Sequence, residues 1–346
     1  MRVHVTAAEA LEGTLVLVND AHPLQAWPEK DALTAVLPGA PQKPSFPAPS
    51  DTPQKLSASA LPGALQKPAA PALPDTPQKL SASALPGAPQ KPAAPALPDT
   101  LQKLSASALS GAPQKPAAPA LPDMLQKMPN PALPNTPQVL LRRPAAAMLG
   151  ALLDSISAAG RIVPVSGWRA HAEQEALYAD SVRENGLAFT QTYVALPGCS
   201  EHESGLAIDV GEARDEIDFL RPAFPDTGIC AAFRAAAPRY GFILRYPEGA
   251  RHITHIGSEP WHFRYVGVPH AACIAQRGCT LEEYIEALRA NTPANPLRLR
   301  EDGRAYRIFR VPLAEDGAAF DVPAGFLWQA SADNCGGLIV TLWGAP

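Results

Sequence analysis

Long hydrophobic runs are missing from this 346-residue chain. No stretch approaches the roughly 18 consecutive apolar residues needed to cross a bilayer, which excludes a transmembrane helix. The opening residues, Met1-Arg2-Val3-His4-Val5 running into Glu9 and Glu12, lack the apolar core and small-residue cleavage site of a secretory signal. A cytoplasmic location is therefore expected, with export left open. Cysteine is scarce too: Cys199, Cys230, Cys273, Cys279 and Cys335 show no C-x-x-C spacing and are too few to staple the fold, so reduced thiols are expected. No charge of one sign dominates, with 29 Lys and Arg against 33 Asp and Glu and a net charge of −4. Without a basic run, a nucleic-acid backbone is excluded as the main partner, and small ligands and peptides remain.

Proline, by contrast, is abundant and unevenly placed. Of 40 prolines, 24 fall between Pro38 and Pro137. There Leu37-Pro38-Gly39-Ala40 returns as Leu61-Pro62-Gly63-Ala64 and Leu85-Pro86-Gly87-Ala88, then as Leu109-Ser110-Gly111-Ala112, a period of 24 residues. A half-period of 12 is marked by Gln-Lys pairs at Lys43, Lys55, Lys67, Lys79, Lys91, Lys103, Lys115 and Lys127. Frequent proline removes backbone donors, and Ala, Ser and Gln offer too little bulk to offset the entropy of ordering. A disordered tract with polyproline II bias is expected, read as an expanded repeat with no binding role. Single leucines cannot bury one repeat against the next, which argues against a solenoid.

On either side of the tract the pattern is that of a folded domain. Gly13-Thr14-Leu15-Val16-Leu17-Val18-Asn19 reads as a buried strand. Pro144 opens a helix through Met148, Leu149, Leu152, Leu153 and Ile156, followed by a strand at Ile162-Val163-Pro164-Val165. Further elements are a helix over 171–183, a strand over 206–210, a helix over 230–239, a strand over 242–246, and a helix capped by Thr280 and Glu283. Short apolar runs broken by Gly, Pro and Asn make 296–346 a small β appendage. The tract thus reads as an insertion inside one domain. Lengthening a loop from ~10 to ~110 residues costs only about 2 kcal/mol of closure entropy.

Chemistry-bearing residues concentrate in two clusters, Ser200-Glu201-His202-Glu203-Ser204-Gly205-Leu206-Ala207-Ile208-Asp209 and Glu259-Pro260-Trp261-His262-Phe263-Arg264-Tyr265. Gly205 permits a sharp bend, so His202 on a loop and Asp209 on the next strand can converge. In the second cluster aromatics alternate with His262 and Arg264, which places His262 on the opposite face from the aromatics. Together His202, Asp209 and His262 offer a zinc ion two imidazoles and one carboxylate with a fourth position open, the stoichiometry of a catalytic site. Glu259 stands three residues before His262; a regular strand would turn the two apart, and Pro260 breaks that regularity. Such a carboxylate can act as a general base. His252 and His255 are rival ligands by proximity and are read as polar loop residues, while Cys199 is read as a packed thiol.

These residues resemble the zinc D-alanyl-D-alanine carboxypeptidases of the vancomycin-resistance type, the VanY-like family. The matching stretches are Ser166-Gly167-Trp168-Arg169, Pro197-Gly198-Cys199-Ser200-Glu201-His202, Gly205-Leu206-Ala207-Ile208-Asp209-Val210, Tyr240-Gly241-Phe242, Arg245-Tyr246-Pro247 and 259–267. The resemblance implies an α+β, Hedgehog/D,D-peptidase-like zinc peptidase domain. It also implies one catalytic Zn2+ held by His202, Asp209 and His262, with Glu259 as catalytic base. Arg169 is then the arginine that contacts substrate and stabilises charge on the scissile carbonyl, and Ser200 a substrate-binding serine. The implied substrate is a peptidoglycan peptide, its precursor or the free D-Ala-D-Ala dipeptide. Expected organisation is an N-terminal segment with the domain's first strand (1–36), the repeat insertion (37–138), the catalytic domain (139–295) and the β extension (296–346). Trp168, Glu203, Ser204 and Ser258 depart from the family pattern without removing a ligand or the base. Alternatives are an L,D-carboxypeptidase or wall-peptide endopeptidase on the same fold, or a non-catalytic peptide-binding module, against which the intact Glu259 speaks.

Overall fold

The computed structural model describes residues 1–36, 138–301 and 303–344. The tandem repeat, and the expectation that it is disordered, lie outside the described residues.

The chain opens with β1 (Arg2–Val5) and α1 (Ala7–Leu11), the latter started by a reciprocal capping box between Thr6 and Glu9. Strand β2 (Leu33–Ala35) pairs antiparallel with β3 (Leu140–Arg142), so the two ends of the intervening tract are held together by a short ladder. Helix α2 (Arg143–Ser155) follows at once, with proline in its first turn where a missing N–H costs nothing. Its Met148, Leu149, Leu152 and Leu153 are all buried, as the helical spacing predicts.

A four-stranded sheet comes next. Its members are β4 (Ile162–Ser166), β5 (Ala207–Glu212), β6 (Phe242–Tyr246) and β7 (Glu259–Tyr265), in the spatial order β4-β5-β7-β6 with every pair antiparallel. Between β4 and β5 lie α3 (His171–Asn185) and α4 (Leu187–Tyr193). Helix α5 (Gly228–Ala236) precedes β6, and a single turn, α6 (Arg251–Thr254), precedes β7. Helices α7 (Val268–Arg277) and α8 (Leu281–Leu288) complete this region. The arrangement is α+β. On one face of the sheet Ile208, Val210, Phe263 and Tyr265 join Leu149, Leu152 and Phe233 in the largest apolar core. Period-two alternation then forces Asp209 and His262 to the other face.

The carboxy-terminal part holds β8 (Leu297–Glu301), β9 (Arg304–Pro312), β10 (Ala318–Asp321), β11 (Leu327–Ala332) and β12 (Gly337–Gly344). Four of them form an antiparallel sheet in the order β11-β12-β9-β8, while β10 pairs with β1. The amino terminus is thereby stitched into the β extension: the Met1 ammonium donates to the Val322 carbonyl at 2.8 Å.

One strand expectation is corrected. Residues 13–19 are not part of any ladder, although Leu15, Val16, Leu17 and Val18 are all nearly inaccessible. The segment lies between two cores, with Val16 and Val18 in the one that holds Phe309 and Val340, and Leu15 and Leu17 in the one that holds Val266 and Ile339. Its backbone bonds go elsewhere: Leu15 N–H donates to Ser331 Oγ at 2.9 Å, and the Thr14 and Val16 carbonyls accept from Arg264. Side chains, together with the Asp333 carbonyl that accepts from Leu17 N–H at 3.4 Å, stand in for part of a neighbour strand. The first strand is instead β1, and its partner is β10.

Candidate metal centre

The sequence Gly205-Leu206-Ala207 turns a short 3₁₀ segment, Glu201–Ser204, into β5. Gly205 makes the turn in the left-handed region at φ 70°, where a side chain costs about 1–2 kcal/mol. A Cβ there would also stand 3.0 Å from Leu33 Cδ2. The bend brings His202 over the β5 face that carries Asp209, with His202 Nε2 3.3 Å from Asp209 Oδ2. On the neighbouring strand His262 is the register partner of Asp209, with Nδ1 3.0 Å from Oδ1.

One donor atom from each of His202, Asp209 and His262 falls within 4.8 Å of the others, and all three residues are buried. Tetrahedral zinc with ligand bonds of about 2.0–2.1 Å separates its donors by about 3.3 Å, close to the spacings observed here. Asp209 Oδ1 is buried without a hydrogen-bond partner, although His262 Nδ1 lies 3.0 Å away. An anionic oxygen left this way is costly unless a cation takes it up. The donor set therefore fits a metal ion. Burial works against the Asp209 charge, yet the proximity of His202 and His262 holds its carboxyl well below the usual range.

Outer contacts fix both rings. His202 Nδ1 sits 2.8 Å from the Gly167 carbonyl, which can only accept, so Nε2 keeps its lone pair toward Asp209. His262 directs Nε2 toward Glu201 Oε2 at 3.5 Å, leaving Nδ1 for the cluster. Glu201 is itself the centre of a buried charge network. Its Oε1 accepts from Arg245 Nε at 2.8 Å and from an Arg264 guanidinium nitrogen at 2.7 Å. Arg245 in turn donates twice to Glu282, at 2.9 and 2.6 Å. Burial opposes the Glu201 charge, but the two arginines keep the carboxyl ionised far below its ordinary value.

Glu259 joins the same cavity. Between β6 and β7 the register shifts, since Tyr246 pairs with Glu259 and Leu244 with Phe263. That bulge turns Glu259 to the side of His262, with Oε2 3.7 Å from Nδ1. Burial pushes the Glu259 carboxyl up to about 8, against the pull of His262. Arg169 donates to Gln174 Oε1 at 2.7 Å and to Ser166 Oγ at 3.0 Å, and Ser200 lines the cavity wall. The cavity measures about 240 Å³ and includes Arg169, Ser200, His202, Asp209, Glu259 and His262 in its lining.

All six residues singled out in the sequence thus meet in one place. The rival histidines do not: His255 pairs with Asp20 at 2.7 Å and His252 with the Gly249 carbonyl, both exposed. Cys199 is buried outside the donor cluster. Glu203, a departure from the family pattern, is fully buried, accepting from Gly198 N–H at 2.7 Å and meeting His171 Nδ1 at 2.6 Å. Sequence reasoning passed over Glu201, Arg245 and Arg264. All three lie in stretches the sequence singled out, Glu201 beside His202, Arg245 before Tyr246-Pro247 and Arg264 on the His262 face of the alternating run, but none of them was given a role.

Residues 138–268 match the family model described as VanY, D-alanyl-D-alanine carboxypeptidase. Among curated relatives, the bifunctional D-Ala-D-Ala dipeptidase and D-Ala-D-Ala carboxypeptidase VanXYC of Enterococcus gallinarum is 51% identical over 125 residues, covering 36% of this chain and 66% of that protein. A D-alanyl-D-alanine carboxypeptidase of Enterococcus faecium is 35% identical over 179 residues, covering 51% of this chain and 52% of that protein. The chain thus spans between about half and two thirds of the length of these relatives. Among solved structures, the vancomycin-resistance D,D-dipeptidase VanXYg in complex with a D-Ala-D-Ala phosphinate analogue superposes with a TM-score of 0.68 at 30% identity, covering 99% of this chain and 98% of that one. A match that takes in nearly the whole of both chains, beside a His-Asp-His cluster that could hold a metal ion, means that this chain belongs to the VanY-like family of D-alanyl-D-alanine carboxypeptidases.

Proposed function

We propose that the protein is a zinc-dependent D-alanyl-D-alanine carboxypeptidase, hydrolysing the terminal D-Ala-D-Ala bond of peptidoglycan peptides or their precursors on a Hedgehog/D,D-peptidase-like domain. The observation that carries this reading is the convergence of His202, Asp209 and His262 with Glu259 3.7 Å from His262 in one cavity. When bound by the three donors, zinc supplies Lewis acidity that activates water near neutral pH and polarises a carbonyl.

The chain's own groups do the rest. Glu259 Oε2 accepts a proton from the hydrolytic water and returns it to the leaving amine nitrogen, so one carboxyl serves as base and then acid. Arg169, oriented by Gln174 and Ser166, presents a fixed guanidinium fork to the charge that develops on the scissile carbonyl oxygen. Ser200 offers a hydroxyl to the substrate from the same wall. Elemental analysis for zinc combined with a D-Ala release assay on pentapeptide and dipeptide, with and without chelator, tests the proposal. Zinc-free protein that still releases D-Ala at full rate refutes it.

A further inference from the structure

Of the three candidate metal donors, His202 alone sits outside the β5–β7 ladder, on the short 3₁₀ turn before β5. The strand at the foot of the inserted tract touches that turn's surroundings on two sides. The described residues break off at Val36 and resume at Gln138, and between those ends three residue pairs close the β2–β3 ladder: Leu33 with Arg142, Thr34 with Leu141 and Ala35 with Leu140. Leu141 is wholly buried in the main apolar core, and that burial anchors a ladder too short to hold by its own hydrogen bonds.

On one side is Gly167, whose carbonyl meets His202 Nδ1 at 2.8 Å. The next amide, Trp168 N–H, donates to the Leu140 carbonyl at 2.6 Å. A Cβ on Gly167 would stand 2.3 Å from that Leu140 oxygen, so only glycine lets β3 come this near. On the other side Arg142 grips the turn. Its backbone N–H donates to the Gly205 carbonyl at 2.9 Å, and its Nε donates to the Ser204 carbonyl at 2.9 Å. Nη1 of the same side chain donates at 2.5 Å to the carbonyl of Glu12, the residue that ends α1. A guanidinium is a rigid planar fork, so bonds from it to two separate segments fix the spacing between them. Within the turn, the His202 carbonyl accepts from Gly205 N–H at 3.1 Å and from Arg169 N–H at 3.2 Å, so a shift of residues 204–205 is passed on to His202. Arg142 is not among the residues that line the cavity.

We propose that Arg142 is a positioning residue for the metal centre: it ties the His202 turn to α1 and to the ladder that closes the insertion, and so sets zinc affinity without touching metal or substrate. This rests on the peptidase reading above and deepens it, because the foot of the insertion then belongs to the frame of the catalytic site. A donor already held in place binds an ion more tightly than one that the ion must first order.

The test compares full-length Arg142→Gln and Arg142→Lys proteins with wild type in three measurements. These are competition with a zinc indicator, steady-state hydrolysis of a D-Ala-D-Ala peptide at saturating zinc, and amide hydrogen exchange of the metal-free protein. Expected for Arg142→Gln is zinc binding weakened about 10-fold, the lower end of the effect of losing a group that supports a metal ligand. With zinc saturating, kcat should fall while KM stays nearly unchanged, because the substrate cavity is untouched. Arg142→Lys keeps a donor on a flexible stem and should recover part of the affinity. In metal-free Arg142→Gln, exchange should quicken over 200–206 while α8 stays as protected as in wild type. Unchanged zinc affinity in Arg142→Gln overturns the assignment and leaves the hydrolase reading intact. Exchange that quickens equally in α8 marks a merely structural role and overturns it as well. Wild-type protein that takes up no zinc overturns the peptidase reading, and this assignment with it.

Discussion

Asp209 and His262 are direct cross-strand partners on β5 and β7, with Oδ1 and Nδ1 3.0 Å apart and no hydrogen bond between them. Facing residues on an antiparallel pair are held at this range by the ladder itself, so two of the three candidate metal donors are set by backbone register rather than by flexible loops. His202 is the exception, and Gly205 and the Gly167 carbonyl do for it what the ladder does for the others.

Loss of either ladder donor should empty the site. Asp209→Asn and His262→Ala proteins are expected to lose zinc to a chelator that leaves wild-type protein loaded, with D-Ala release falling in step. Glu259→Gln should behave differently: full zinc content, with kcat reduced about 10²- to 10⁴-fold, the range for removing a general acid-base group. Metal quantification beside kcat separates these two classes. A Glu259→Gln enzyme with full turnover contradicts the proton-transfer role.

Glu201 is expected to matter through His262 and not through substrate. Replacing it with Gln removes the anion shared by Arg245 and Arg264, which are both wholly buried. Breaking such a network on one side costs about 3–5 kcal/mol, because a charge is left uncompensated. Zinc affinity should also drop by about 10- to 100-fold, as for other outer-shell partners of a metal-binding histidine. Urea unfolding and competition with a zinc indicator read the two effects separately. Unaltered zinc affinity in a folded Glu201→Gln protein argues against the positioning role.

The donor set was legible because its residues obey short-range rules. His202 and Asp209 flank a glycine bend, and His262 alternates with aromatics whose burial face is unambiguous. Element types around them followed in the same way, from the α2 spacing and the Thr280 capping box to β6. What stayed hidden depends on contacts distant in the chain. Glu201 is adjacent to His202 but bonds to Arg245 and Arg264, 44 and 63 residues away. The segment 13–19 has the composition of a strand, yet its partners are side chains such as Ser331 and Arg264 from far along the chain, which no local pattern announces.

His270 provides a stability prediction independent of the metal. It is completely buried, with Nδ1 2.8 Å from Tyr284 Oη and Nε2 2.9 Å from Thr341 Oγ1. Two hydroxyls can satisfy a neutral imidazole, one accepting and one donating, whereas an imidazolium would need two acceptors and a counter-charge. Burial accordingly pushes the ring down to about 3, far under the roughly 6.5 of an unfolded chain. Between those two values the unfolded state holds a proton that the folded state refuses, so unfolding becomes easier as pH falls through about 6.5 toward 3. From pH 7 to pH 5 the loss should reach about 2 kcal/mol from this group alone. Carboxylates with depressed values add their own losses only nearer the ordinary carboxylate range, which makes pH 5 to 7 the informative window. His270→Gln keeps an amide that can donate and accept but cannot titrate there. Denaturant unfolding of both proteins at pH 7 and pH 5 should show wild type losing about 2 kcal/mol more than the variant, whatever their difference at pH 7. Parallel losses in the two proteins would mean that the acid sensitivity of the fold arises elsewhere.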